Sequence, residues 1–201
     1  MRITGGRHRS RTLRAPRGSL TRPTSDRVRE ALFGILAAGG AIEGARVLDL
    51  YAGTGALGLE ALSRGAADAT LVEASRAALG ALRANVDALG LAARTRVVEA
   101  DVERAAERIA ASGPFDIVFA DPPWALVDAG TAPRALAHIV SAGALAAGGR
   151  VVLEHSSRTS PPAVDRLVRV DTRVYGDTAL TFYKPAILGS PPHEGLEPPS
   201  D

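Results

Sequence analysis

From residue 46 onward the sequence reads as an α/β domain, a mostly parallel sheet with helices on both faces. An antiparallel hairpin closes it and a basic hairpin extension precedes it. Three observations predict this fold. Short apolar runs alternate with helical segments over brief connections. Gly53, Gly55 and Gly58 form a Gly-x-Gly-x-x-Gly motif between the first run and the first helix of that alternation. The last two β-like runs break the alternation and are joined through Gly176-Asp177.

The elements follow in order. Residues 1–23 form a basic arm with short β-like pieces around Gly5-Gly6, a turn signal for a hairpin. Thr24, Ser25 and Asp26 are candidate N-caps, and Val28, Leu32, Ile35 and Leu36 then recur on one helical face until Gly39-Gly40. Strands are expected at Arg46–Leu50, Ala69–Glu73, Thr95–Ala100, Phe115–Ala120 and Arg150–Glu154. Helices are expected at Ala56–Ser63, Ser75–Leu89, Val102–Ala111 and Ala132–Ser141. Leu167–Val174 and Ala179–Tyr183 form the terminal hairpin. The division is therefore an arm at 1–23, a main domain at 24–184 and a tail at 185–201. The tail holds five prolines and little apolar content and is expected to be disordered.

With 201 residues, 46% of them apolar, the chain can bury a full core. No membrane span or secretory signal is expected, because no sufficiently long apolar run exists. The absence of cysteine excludes disulfides, a thiolate nucleophile and Cys-ligated metals. Charge is unevenly spread. Residues 1–30 carry nine arginines against Asp26 and Glu30, while the rest of the chain carries 15 basic and 20 acidic residues. A basic arm on a mildly acidic body predicts a polyanionic partner, with Arg7, Arg9, Arg11, Arg22 and Arg27 as candidate contacts. With seven cations ahead of its first carboxylate, the arm reads as a surface element rather than a part of the core.

Glycines in this context permit a tight turn and close approach of a ligand to the backbone. Glu73 ends the second strand 20 positions after Gly53, where its carboxylate can accept from ribose hydroxyls. Asp49 separates two kinds of ligand. A pyrophosphate beside that carboxylate would be repelled, whereas S-adenosylmethionine (SAM) carries an ammonium and a sulfonium and no phosphate. Asp101, ending the third strand, can accept from an adenine amino group.

Asp121-Pro122-Pro123-Trp124 ends the fourth strand, on the rim where ligands of open α/β sheets bind. Strands one and four should be neighbours, so Asp121 should face the glycine loop. Two prolines stiffen the turn and leave carbonyls without local donors. The Asp121 carboxylate and Pro122 carbonyl can both accept from one NH₂ group, and Trp124 offers a ring on which a base can stack. Two such acceptors draw the hydrogens of an exocyclic amine out of conjugation and aim its lone pair at a methyl donor, so positioning and electrostatics would do most of the catalysis.

Asp49–Gly58 together with Asp121–Trp124 resembles the SAM-dependent amino-methyltransferases. Arg2-Ile3-Thr4-Gly5-Gly6 and the run Arg22–Leu36 (RPTSDRVREALFGIL) resemble the bacterial 16S ribosomal RNA guanine(966)-N(2)-methyltransferase family, RsmD, over residues 2–184. The resemblance implies a Rossmann-like class I SAM-dependent methyltransferase with a seven-stranded sheet in the order 3-2-1-4-5-7-6. It implies an N-terminal β-hairpin extension and methylation of one guanine in small-subunit rRNA. It assigns Asp49, Tyr51, Ala52, Gly53, Thr54, Gly55, Gly58, Glu73, Asp101 and Val102 to SAM and Asp121, Pro122, Pro123 and Trp124 to the target base. Trp124 stands where the family more often has Tyr, and Tyr51 and Thr54 where Phe and Ser are common. The expected partner is 16S rRNA or the small ribosomal subunit, met by a cytoplasmic monomer.

Rival readings are an adenine-amine methyltransferase on DNA or RNA, an NAD(P)-dependent oxidoreductase and a non-catalytic rRNA-binding protein. Asp rather than Asn before Pro-Pro favours guanine, and Asp49 disfavours the nicotinamide cofactor. His8, His138 and His155 lack partners at ligand spacing, so no metal is expected.

Overall fold

The computed structural model describes residues 1–16 and 25–186. Its seven-stranded sheet has the order β3-β2-β1-β4-β5-β7-β6. The strands are β1 Arg46–Leu50, β2 Asp68–Glu73, β3 Thr95–Glu99, β4 Phe115–Ala120, β5 Leu145–Ser156, β6 Leu167–Tyr175 and β7 Thr178–Pro185. The first five are parallel to one another, and β7 runs antiparallel to both β5 and β6. The helices are α1 Asp26–Ala38, α2 Ala56–Ser63, α3 Arg76–Ala88, α4 Ala106–Ala110, α5 Trp124–Asp128 and α6 Thr131–Ser141.

Alternation along the strands divides the core between two faces. Val47, Leu71, Ile117, Phe119, Val152 and Leu180 face α1, α2 and α3. Leu48, Val72, Val118, Val151 and Tyr183 join Ile109 of α4 with Leu136 and Ile139 of α6 on the other side. Both faces are covered, so the central strands read as continuous apolar runs. Asp49, a buried carboxylate on the α2 side of β1, interrupts the run on that strand.

Three expectations change. The helix over 102–111 is a 3₁₀ turn at Val102–Arg104 followed by α4. Asp101 accepts from the Glu103 N–H at 3.0 Å and tightens the first turn, while Val102, Ala105, Ala106 and Ile109 are buried as the helical spacing implied. β5 begins at Leu145, because Leu145 pairs with Phe115 despite Gly148-Gly149, whose low strand propensity hid this half from the sequence. α5, which opens at Trp124 directly behind the two prolines, was not expected.

The arm is the largest correction. Its hairpin forms over residues 1–13: Arg2 bridges Thr12 in antiparallel pairing, and the N–H groups of Ile3, Ser10 and Leu13 bond the carbonyls of Arg11, Ile3 and Met1 at 2.9–3.1 Å. It is part of the core, since Ile3 and Leu13 are 1% and 4% exposed within the cluster of α1 and α2. Arg2, Arg7, Arg9, Arg11 and Arg14 are exposed while Ile3 and Leu13 point inward, so net charge alone misjudged this segment. Gly6 has φ +73° and lies against α2, where an added Cβ would sit 1.9 Å from the Ser63 carbonyl oxygen. Ser25 is the N-cap of α1, accepting from the Val28 N–H at 3.2 Å. Thr24, Arg22 and all but Pro185 and Ala186 of the expected tail lie outside the described residues.

Candidate active site

The site grows from the β1–α2 turn. Tyr51 and Gly53 both have positive φ, +60° and +56°, and Gly55, the α2 N-cap, has φ +83°. Glycine is required at Gly55 for a second reason: an added Cβ would meet Leu82 Cδ1 at 2.5 Å. At Gly53 the corresponding position is open, with only the Tyr51 carbonyl oxygen at 4.0 Å. That is the opening a ligand lying along the backbone needs. Ala52 is buried and its N–H bonds the Val72 carbonyl, anchoring the loop to β2.

Carboxylates surround this loop. Glu73 accepts from the Gly53 N–H and the Ser75 N–H, both at 2.7 Å, and so ties the loops after β1 and β2 together. Asp49 accepts from Gly58 N–H at 2.9 Å under the first turn of α2. An added Cβ at Gly58 would sit 2.2 Å from Leu71 Cδ2 and 3.3 Å from that carboxylate, so a larger residue would have to displace the buried Leu71 side chain. Burial raises Asp49 to a pKa of about 8, Gly58 opposes the rise, and the negative charges of Asp121 and Glu73 add to it. The third strand's end carries a second acidic group. Asp101 is exposed and Val102 is buried. The hydrogen bond with Glu103 holds Asp101 below its usual range, while burial, and then Asp101, raise Glu103. Tyr51 donates its hydroxyl to Glu103 at 2.8 Å, and burial first, then this bond, push the phenol up.

β1 pairs with β4, with Asp49 beside Phe119 and Leu50 beside Ala120, so Asp121 follows directly next to the glycine loop. Pro122 is buried, Pro123 exposed and Trp124 half-buried. The Pro123 carbonyl accepts from Leu126 N–H at 2.8 Å, so of the two proline carbonyls this one is spent on α5.

Arg7 of the arm lies away from this loop. Arg7 N–H bonds the Ser63 carbonyl at the C-terminal end of α2, about 12 Å of helix from Gly55. Arg7, Arg9, Arg11 and Arg27 are all exposed, and Arg11 also donates to the Ala88 carbonyl at the end of α3. Sequence reasoning missed Glu103, Asn85 and the buried pair Arg29 and Glu60. The last two stand at helical positions that look solvated until the arm covers them. Among the described residues no group of three or more His, Cys, Asp or Glu could hold a metal ion. No helix is long and apolar enough to cross a membrane among those residues.

A negatively charged cleft with an open glycine backbone suits a ligand bearing positive charge and opposes a pyrophosphate. The residues present therefore fit SAM. Asp49, Glu73 and the Gly53–Gly55 backbone would hold its polar end and ribose, and Asp101 with Val102 its base.

The raised Asp49 carboxyl makes a pH prediction. Its folded pKa lies above the unfolded value near 4, so the folded state holds the extra proton between pH 4 and 8. Asp49 thus costs stability progressively as pH rises through that window. Each unit is worth about 1.4 kcal/mol, and even half of the shift amounts to a few kcal/mol. Ligand-free Asp49→Asn is expected to melt several degrees above wild type at pH 8.5, with the gap closing toward pH 4. Thermal unfolding across pH checks this, and equal melting at pH 8.5 would refute it. A cationic ligand should reverse the order, favouring the ionised wild type.

The sheet order, the glycine loop on β1 and the acidic-proline turn on β4 define a Rossmann-like methyltransferase. More particularly, the chain belongs to the family described as "Conserved hypothetical protein 95", whose model matches residues 1–184, the family of RsmD. It is 34% identical over 187 residues to "Putative rRNA methyltransferase YlbH" of Bacillus subtilis, covering 92% of this chain and 98% of that protein. It is 49% identical over 125 residues to "Ribosomal RNA small subunit methyltransferase D" of Escherichia coli K12, covering 62% of this chain and 60% of the other. The solved structure of "Putative methyltransferase yhhF" from Escherichia coli superposes with a TM-score of 0.76 at 39% identity, over 92% and 97% of the two chains.

Proposed function

We propose that this protein transfers a methyl group from SAM to the exocyclic N(2) amine of one guanine in 16S rRNA of the small ribosomal subunit. We infer further that it acts in the cytoplasm, as a monomer and without a metal. The observation that carries the reading is the pairing of β1 with β4, which brings Asp121 within electrostatic reach of Asp49 beneath the glycine loop. Bound there, SAM supplies an activated methyl group on a sulfonium. The chain's own residues do the rest. Glu73, Asp49 and the loop amides fix the methyl donor. Asp121 and the Pro122 carbonyl accept the two amine hydrogens, which turns the nitrogen lone pair out of conjugation. Trp124 stacks on the guanine, which must be unpaired or flipped to present its amine. Asp121 stabilises the positive charge that the nitrogen gains as its bond to the methyl group forms and the methyl–sulfur bond breaks, and it accepts the proton that the methylated amine then releases. The relatives named for small-subunit rRNA support the choice of RNA.

The direct test incubates the protein with labelled SAM and 16S rRNA or small subunits from a strain lacking the enzyme, followed by mass spectrometry. One methyl on N(2) of a single guanine supports the reading. A methyl on an adenine amine, or none, overturns it.

The arm provides a second prediction. Arg7, Arg9 and Arg11 are proposed to contact phosphates. Replacing all three with Ala is expected to weaken RNA binding and flatten its dependence on salt, each lost contact removing about 0.7–0.9 of the log–log slope. SAM affinity should be unchanged, since these exposed side chains make none of the contacts within the glycine loop. A filter-binding salt titration reads both, and an unchanged slope would remove the arm from the interface.

A further inference from the structure

One buried amide joins the arm to the glycine loop. Asn85 of α3 is 1% exposed. Its Oδ1 accepts from the Arg14 N–H at 2.7 Å. Its Nδ2 donates to the carbonyls of Arg14 and Thr54, both at 3.0 Å. Two carbonyls and one N–H around it fix the orientation of the amide and use both of its hydrogens. Thr54 is the residue between Gly53 and Gly55. The arm's other fastenings are elsewhere: Ser63 donates to the Gly5 carbonyl and accepts from His8 N–H at the opposite end of α2, and Glu60 accepts from Thr4 N–H. Among the described residues Asn85 is thus the hydrogen-bonding link between residues 1–16 and the loop.

We propose that Asn85 is a positioning residue that couples the two, so that RNA held by the arm and cofactor held by the loop raise each other's affinity. This rests on the function proposed above. The physical basis is that a buried amide is stable only while its partners stay in place. An arm that leaves Asn85 strips it of an acceptor and a donor at once, and the amide then has reason to abandon Thr54. RNA that holds the arm down holds the Thr54 carbonyl with it. Coupling of this kind is reciprocal, so the effect on either ligand can be measured through the other.

The test uses the full chain and S-adenosylhomocysteine, the demethylated product, as probe. Equilibrium dialysis measures its affinity with and without a 16S rRNA transcript. Wild type is expected to bind it at least about fivefold tighter with RNA, the lower end of common coupling. Asn85→Ala removes the bracket. Arg14→Pro removes the N–H from which Oδ1 accepts, together with an exposed side chain for which Arg14→Ala controls, and stays informative if the helix variant does not fold. Both should bind the probe about five- to tenfold more weakly and lose the enhancement by RNA. In turnover both should raise KM for SAM more than they lower kcat. Arg14→Ala keeps the backbone and Ser63→Ala loosens the arm at its other end, so both should behave as wild type toward the probe. If wild type binds the probe and Arg14→Pro binds it equally, with the RNA enhancement intact, the coupling is refuted while the proposed function stands. Equal losses in Ser63→Ala and Asn85→Ala would reduce Asn85 to general support of the arm and also refute it. A wild type that binds neither SAM nor the probe would sink the proposed function itself.

Discussion

Asp121→Ala is expected to lose two to three orders of magnitude in methyl transfer while its affinity for SAM stays within a few-fold of wild type. Removing one preorganised group that stabilises developing charge typically costs about 2.7–4 kcal/mol, which is that factor in rate. The cofactor's proposed anchors lie elsewhere, on Glu73, Asp49 and the loop backbone. Asp121 acts on Asp49 through its charge, which adds to the raised pKa of Asp49 after burial, the larger cause. Losing that charge makes the cleft less negative and Asp49 easier to ionise, two effects on a cationic ligand that oppose each other. Single-turnover rates with saturating RNA, set beside calorimetric SAM affinities, separate the two roles. Near-normal turnover would move the catalytic centre away from β4. Trp124→Ala offers a graded comparison: stacking is worth about 1–3 kcal/mol, felt in RNA affinity as well as in rate.

The largest expected loss of stability follows from Glu60. Its carboxylate is fully buried and gathers Thr4 of the arm, Arg64 at 2.9 Å and Arg29 Nε at 3.7 Å. Arg29 is itself 0% exposed and pairs with Asp26 at 2.8 Å. Arg64 lies over the Phe33 ring, 5.1 Å from its centroid. Removing one partner of a buried pair strands the other charge in a medium that cannot solvate it, at about 3–5 kcal/mol. Glu60→Ala is therefore expected to lower the melting temperature by about 10 °C or more for a chain of this size. Arg83→Ala makes the contrast. Its ion pair with Glu99 spans 3.2 Å, but both side chains are more than half exposed, and such pairs are worth at most about 1 kcal/mol. Thermal melts of the two variants check the difference, and similar small shifts would mean that the buried cluster is stabilised mainly by packing.

Most of the strands, the alternation of strands and helices and both loops of the site were legible in the sequence, because each is written in local chemistry. Val47–Leu50 alternates sides of a sheet covered on both faces. Gly53, Gly55 and Gly58 stand where positive φ or lack of a Cβ is required. Asp121-Pro122-Pro123 ends a strand with residues that cannot continue it. The resemblance supplied the strand order, which the pairing of β1 with β4 reproduces.

What the sequence could not express was which face of a polar residue would be covered. Glu60 and Arg29 have the spacing of solvated helix positions, and they are buried because the arm folds across them. Ile3 and Leu13 are isolated aliphatic residues in a run of arginines, and their burial depends on α1 and α2 from later in the chain. Asn85 sits in the middle of an ordinary amphipathic helix, and its role comes from two segments 71 and 31 residues away. The physical division is one of range. Backbone conformation and strand periodicity are set within a few residues, whereas the burial of a charge or an amide is set by whatever segment comes to lie on top of it.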